Sequence, residues 1–186
     1  MRILAISGSL RRGSFSSGLL RAARELAPAG VEVELYDGLA ELPAYNQDLE
    51  SDVPAAVGTL RQRIASADAL LVATPEYNGS VPGALKNALD WASRPHGASA
   101  LSGKAAAVIG NSPSPFGAAW AQEHLRRALA LSGAVVLDRE MKVGRVDERF
   151  EAGELADLGT REELAELLGE LAGLVEAGQA ELSAAA

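Results

Sequence analysis

Short apolar, β-like runs alternate with longer amphipathic stretches along the whole chain, and no other sequence feature constrains the fold as strongly. The candidate strands are residues 2–6, 31–35, 69–74, 105–109 and 134–137. Ala69-Leu70-Leu71-Val72-Ala73 is apolar without a break, which a strand covered on both faces requires. Between the runs, Leu19, Leu20, Ala23 and Leu26 recur at helical spacing, as do Val57, Leu60, Ile64 and Ala67. Pro82 is expected at the first position of a helix carrying Leu85, Leu89 and Trp91. Thr160 and Glu163 read as a capping box ahead of Leu164, Leu167, Leu168 and Leu171. Repeated strand–helix alternation predicts a three-layer α/β/α sandwich around a mostly parallel sheet. In such a sheet, ligands sit beyond the carboxyl ends of the strands, so chemistry belongs to the loops that follow them.

Length and charge narrow the field further. With 186 residues and no linker rich in Pro, Gly or Ser, residues 1–186 are expected to form one domain. No cysteine is present, which excludes a thiolate metal site, an iron–sulfur cluster and a cysteine nucleophile. Seventeen basic against 25 acidic residues leave a net charge of −8, unfavourable for gripping a nucleic-acid backbone. The apolar start Ile3-Leu4-Ala5-Ile6 is too short for a signal-peptide core, and no segment approaches a membrane span. A cytoplasmic location is therefore expected, with neither membrane nor nucleic acid as partner.

The loop after the first strand is the richest in binding groups. Ser7-Gly8-Ser9-Leu10-Arg11-Arg12-Gly13-Ser14-Phe15-Ser16-Ser17 combines two glycines, a cluster of hydroxyls and two guanidinium groups just ahead of a helix. Glycine allows close backbone approach to an anion, and a helix N-terminus adds a favourable dipole. Serine hydroxyls and arginine donate to phosphate oxygens. Gly8 and Gly13 have P-loop spacing, yet Ser14 stands where that motif requires lysine, which tells against nucleotide hydrolysis. G-x-G-x-x-G is missing too, which disfavours a resident dinucleotide. The groups that remain suit a monophosphate dianion. Capping of the first helix by Ser16 or Ser17 would account for one serine, not for the cluster.

Two further loops fall on the same edge. Thr74-Pro75-Glu76-Tyr77-Asn78-Gly79-Ser80-Val81-Pro82 offers an aromatic ring to lie against a planar ligand, and an amide to pair with ring heteroatoms. Asn78-Gly79 alone is equally a turn signal, and gains meaning from the phosphate loop beside it. Gly110-Asn111-Ser112-Pro113-Ser114-Pro115-Phe116-Gly117 reads as well for an ordinary connection as for part of a site.

Other constellations have plainer explanations. His96 and His124 stand without oriented partners and read as solvent-facing. No G-x-S-x-G elbow occurs, and Asp48, Glu50 and Asp52 read as acidic residues near a helix start rather than metal ligands. Glu162, Glu163, Glu166 and Glu170 read as the solvated face of a terminal helix.

Gly8-Ser9-Leu10-Arg11 with Gly13-Ser14-Phe15, Pro75-Glu76-Tyr77-Asn78, and Val81-Pro82-Gly83 running on to Leu85-Lys86-Asn87-Ala88-Leu89-Asp90-Trp91 together resemble the NAD(P)H-dependent FMN reductases. That flavodoxin-like group includes bacterial quinone, chromate and azo-dye reductases. The resemblance implies a five-stranded parallel sheet of order 2-1-3-4-5 with FMN bound noncovalently. It puts Ser9, Arg11, Ser14, Ser16 and Ser17 around the phosphate. Pro75, Glu76, Tyr77, Asn78 and Gly79 would line the ring and ribityl chain, with Ser112 near the ring. Pro43, Tyr45, Asn46, Gln47 and Asp48 lie in a stretch that helps build a subunit contact in the family, whose members are usually dimers or tetramers. The expected chemistry is ping-pong transfer from NADPH or NADH to a quinone, free flavin or related acceptor. No protein acid, base or nucleophile is required, because the flavin carries the electrons. The alternative is an FMN-binding electron carrier or sensor without NAD(P)H turnover.

Overall fold

A computed structural model describes residues 1–184. Along the chain run β1 (Arg2–Ser7), α1 (Phe15–Leu26), β2 (Glu32–Tyr36), α2 (Ala55–Ser66), β3 (Ala69–Thr74) and α3 (Gly83–Ala92). Then come β4 (Ala105–Ser112), α4 (Ala119–Leu131), β5 (Val135–Val136), β6 (Met141–Gly144), a hairpin of β7 (Phe150–Glu151) with β8 (Glu154–Leu155), and α5 (Leu158–Ala184). The parallel sheet has the order β2-β1-β3-β4-β5, as the resemblance implies. β1 and β3 are neighbours, with Ile3 opposite Ala69, although α1, β2 and α2 separate them in sequence. The chain winds outward to β2 and then crosses back, which makes the β1/β3 junction the topological switch point.

Every residue of β3 is buried, because helices cover both faces of the sheet. Side chains alternate between two cores. Ile3, Ala5, Leu71 and Ile109 pack with Leu19 of α1 and Leu164, Leu168 and Leu171 of α5. Leu4, Ile6, Leu70 and Val108 pack with Leu60 and Ile64 of α2, Leu85 and Leu89 of α3, and Leu125 and Leu129 of α4.

Four local expectations need correction. The fifth strand is not continuous over 134–137: β5 pairs with the start of β4 and β6 with its end. Between them the Arg126 guanidinium donates to the carbonyls of Leu137 and Arg139, at 2.8 and 3.0 Å, in place of a ladder. Pro82 is the cap of α3 rather than its first residue. Ser14, not Ser16 or Ser17, caps α1, its hydroxyl accepting the Ser17 N–H at 3.3 Å. The last helix begins before Thr160: Asp157 accepts from the Thr160 N–H at 2.9 Å and from the Thr160 hydroxyl. Those two bonds, with the Arg149 guanidinium at 2.8 Å, hold the Asp157 carboxyl below its usual range.

Glu166 and Glu170 are not merely solvated, since both pair with Arg139 and tie α5 to the β5–β6 connection. His96 and His124 are exposed, and His124 Nδ1 lies 3.1 Å from the Ser80 hydroxyl.

Candidate flavin site

The loops after β1, β3 and β4 meet at the switch point. Gly8 donates its N–H to the Ala73 carbonyl at 2.8 Å, which fastens the first loop to the end of β3. A Cβ at Gly8 would fall 2.9 Å from Leu85 Cδ2. A side chain here would crowd Leu85, Pro75 and the Ala73 carbonyl, so close packing between the loop, β3 and α3 favours glycine.

Within the first loop the serines divide into two sets. Ser9, Arg11 and Ser17 line one cavity with Ser7. The Ser9 hydroxyl oxygen accepts from the Arg11 N–H at 3.4 Å, so its proton remains to be donated. The Ser17 hydroxyl donates to Ser7 Oγ at 3.0 Å, and Ser7 donates to the Ser9 carbonyl. Arg11 lies over the Phe15 ring, 5.4 Å from its centroid, which steadies the guanidinium without neutralising it. Ser14 and Ser16 are buried behind this rim. Ser14 is occupied as the α1 cap, and the Ser16 oxygen accepts from Asn111 Nδ2 at 2.8 Å. At the first turn of α1, the N–H groups of Phe15 and Ser16 have no partner among the described residues.

Asn111 is a residue that sequence reasoning passed over in favour of Ser112. It is 3% exposed and spends its amide protons on Ser16 and on the Thr74 carbonyl, at 2.8 and 3.2 Å. One side chain thus ties β4 to β3 and to the start of α1. Its signal was legible as a polar residue ending an otherwise apolar strand. Ser112 itself turns into its own loop, donating to Ser114 Oγ at 3.0 Å.

In the second loop, Tyr77 and Ser80 exchange backbone hydrogen bonds of 3.0 and 3.1 Å around Asn78 and Gly79. Both central residues have positive φ, 53° and 71°, as a tight two-residue hairpin turn requires. The turn is real, and it also leaves the N–H groups of Asn78 and Gly79 without partners among the described residues. Tyr77 is half exposed above it. Glu76 points the other way: its carboxylate accepts the N–H groups of Trp120 and Ala121, at 3.0 and 3.1 Å, and so caps α4. Pro75 accepts the Thr74 hydroxyl through its carbonyl at 2.7 Å.

The segment 43–50 is clasped to α3. Tyr45 N donates to Asn87 Oδ1 at 2.7 Å, and the Pro43 carbonyl accepts from both Asn87 Nδ2 and Trp91 Nε1 at 2.9 Å. The Tyr45 hydroxyl donates to Glu50 at 2.5 Å, and that bond, the main cause, raises its pKa above the usual value. Glu50 and Asp48 sit in a short 3-10 turn rather than at the start of α2.

These donors fit a flavin mononucleotide. Uncommitted N–H groups, Ser9 and Arg11 suit a phosphate dianion, and the hairpin turn offers backbone donors and an aromatic face one strand away. Fold and site together define a flavodoxin-like domain arranged for FMN rather than for a dinucleotide fingerprint. The chain belongs to the NADPH-dependent FMN reductase family, which it matches over residues 1–147. It is 46% identical over 165 residues to an NAD(P)H-dependent FMN reductase of Pseudomonas aeruginosa, covering 87% of this chain and 88% of that one. It is 44% identical over 166 residues to a 2-hydroxy-1,4-benzoquinone reductase of a Burkholderia species, covering 88% and 90%. Among solved structures it resembles FerB, a flavoenzyme NAD(P)H:(acceptor) oxidoreductase from Paracoccus denitrificans. That match has a TM-score of 0.84 at 38% identity over 95% of this chain and 98% of that one. No helix among the described residues is long and apolar enough to cross a membrane.

Proposed function

We propose that the protein is a cytoplasmic FMN-dependent reductase that takes electrons from NADPH or NADH and delivers them to quinones, free flavin or related acceptors by a ping-pong route. A bound FMN would supply the redox chemistry, as a two-electron carrier between the nicotinamide donor and the acceptor. The chain's residues bind, orient and exclude water. Ser9, Arg11 and Ser17 hold the phosphate together with the N-terminus of α1, while Ser14 and Ser16 fix that helix start from behind. Asn78 and Gly79 would offer their free backbone N–H groups to the edge of the ring, and Tyr77 would lie against it. Pro75 and Glu76 shape the same loop, and Ser112 closes its far side. The single observation that carries this reading is that a helix start with uncommitted N–H groups meets a donor-bearing hairpin turn at one switch point.

The same edge exposes Leu10, Tyr77, Phe116 and Trp120, apolar surface that a homodimer or homotetramer would cover. Steady-state kinetics test the route. Initial rates at several fixed quinone concentrations should give parallel double-reciprocal lines against NADH or NADPH. Intersecting lines would mean that donor and acceptor bind together, and the ping-pong route would fail.

A further inference from the structure

The cavity beside the phosphate loop is larger than a phosphate needs and extends away from the flavin. It encloses about 360 Å³, and only its Ser9, Arg11 and Ser17 corner serves the phosphate. From there it runs along the α1 side of β1 and β2 over an apolar floor of Ala5, Leu20 and Leu35. It ends at Asp37, Leu39 and Ala40, just past β2. The loops that would hold the ring follow β3 and β4, on the other side of β1, so a ring held there would lie away from the Asp37 end of this space.

Two charged groups face the cavity with no partner of their own. Asp37 stands at the cap position of a 3-10 turn yet makes no capping bond, and it enters no ion pair among the described residues. Arg12, next to the phosphate-loop Arg11, also has no anionic partner among those residues. A carboxylate just beyond the second strand of a parallel sheet is well placed to accept from ribose hydroxyls. A free guanidinium lining the same cavity can pair with phosphate oxygens. The apolar floor suits a purine.

We propose that this cavity seats the adenosine diphosphate end of the nicotinamide donor, with Asp37 on the ribose and Arg12 on the pyrophosphate. The inference rests on the FMN reductase reading, since it places the other end of the same donor. From the end of β2 to the end of β4 the chain crosses three strand spacings, about 14 Å. An extended dinucleotide spans that distance, so its nicotinamide reaches the ring while its adenosine occupies the cavity.

Titration of the flavin-loaded protein with ADP, which carries no nicotinamide and cannot be turned over, tests this directly. Calorimetry should detect ADP binding, weakened about tenfold by Asp37→Asn and by Arg12→Ala, with bound flavin retained in both variants. The KM for NADH should rise by a similar factor, while the KM for reduced nicotinamide mononucleotide, which has no adenosine, stays the same. Absent ADP binding, equal binding by parent and variants, or a parallel rise in KM for the truncated donor would overturn the proposal. A parent protein that purifies without flavin and takes none up would instead refute the FMN reading, and that is seen before any ADP is added.

Discussion

Replacing Ser9 and Arg11 together by alanine should weaken FMN binding by about a hundredfold or more. Each side chain is assigned a charge-assisted bond to the phosphate, and such bonds contribute about 1.5–3 kcal/mol each. Two of them therefore amount to roughly 3–6 kcal/mol, and every 1.4 kcal/mol is about tenfold in affinity. The pair is chosen because neither residue carries the fold. Ser9 contributes one long local bond, and Arg11 lies exposed over Phe15. Ser14 would be a poorer probe, since removing the α1 cap destabilises the helix as well as the site. Arg11→Lys separates charge from shape: it keeps a cation near the phosphate but loses the planar two-pronged donor. It should fall between parent and double variant. Quenching of FMN fluorescence by the apoprotein measures all three. A double variant within about threefold of the parent would show that the phosphate lies elsewhere.

The largest effect on stability is expected at Trp91. Its side chain is fully buried, meets Tyr45 edge-on at 4.9 Å, and donates to the Pro43 carbonyl. The Arg61 guanidinium lies 5.9 Å from its ring centroid. Trp91→Ala opens a cavity at α3 and removes the indole bond and ring contact that help Asn87 hold the 43–50 segment, a change that typically costs about 3–5 kcal/mol. For a domain of this size the melting temperature should fall by about 6–20 °C. Trp91→Phe keeps most of the volume, and Asn87 still satisfies the Pro43 carbonyl, so its loss should be far smaller. Thermal unfolding followed by circular dichroism distinguishes them. Equal melting temperatures for the two variants would mean that filling this space is not what Trp91 does.

Much of the architecture was legible because the apolar runs of β1, β3 and β4 are unbroken and the helices between them keep their periodicity. The edge was less legible. β5 and β6 are interrupted because Arg126, thirteen residues before Arg139, takes over carbonyls that a ladder would have used. Such a long-range side-chain bond leaves no local pattern. Helix starts were misplaced for a related reason, since several hydroxyl and carboxylate residues stand close together and only geometry chooses among them. Ser14 prevails over Ser16 because Asn111 already holds Ser16, and Asp157 prevails over Thr160 because Arg149 steadies it. At the site, the loops were legible from their glycines, serines and aromatics, but the orientation of individual side chains was not. Glu76 reads as a ligand-facing carboxylate until it is seen capping α4.

The most direct measurement separates the two halves of the reaction. Under anaerobic conditions, stoichiometric NADH or NADPH should bleach the visible absorbance of the bound flavin, and a quinone added afterwards should restore it completely. Absorbance that dithionite removes but neither nicotinamide donor affects would contradict the account and leave an electron carrier in its place.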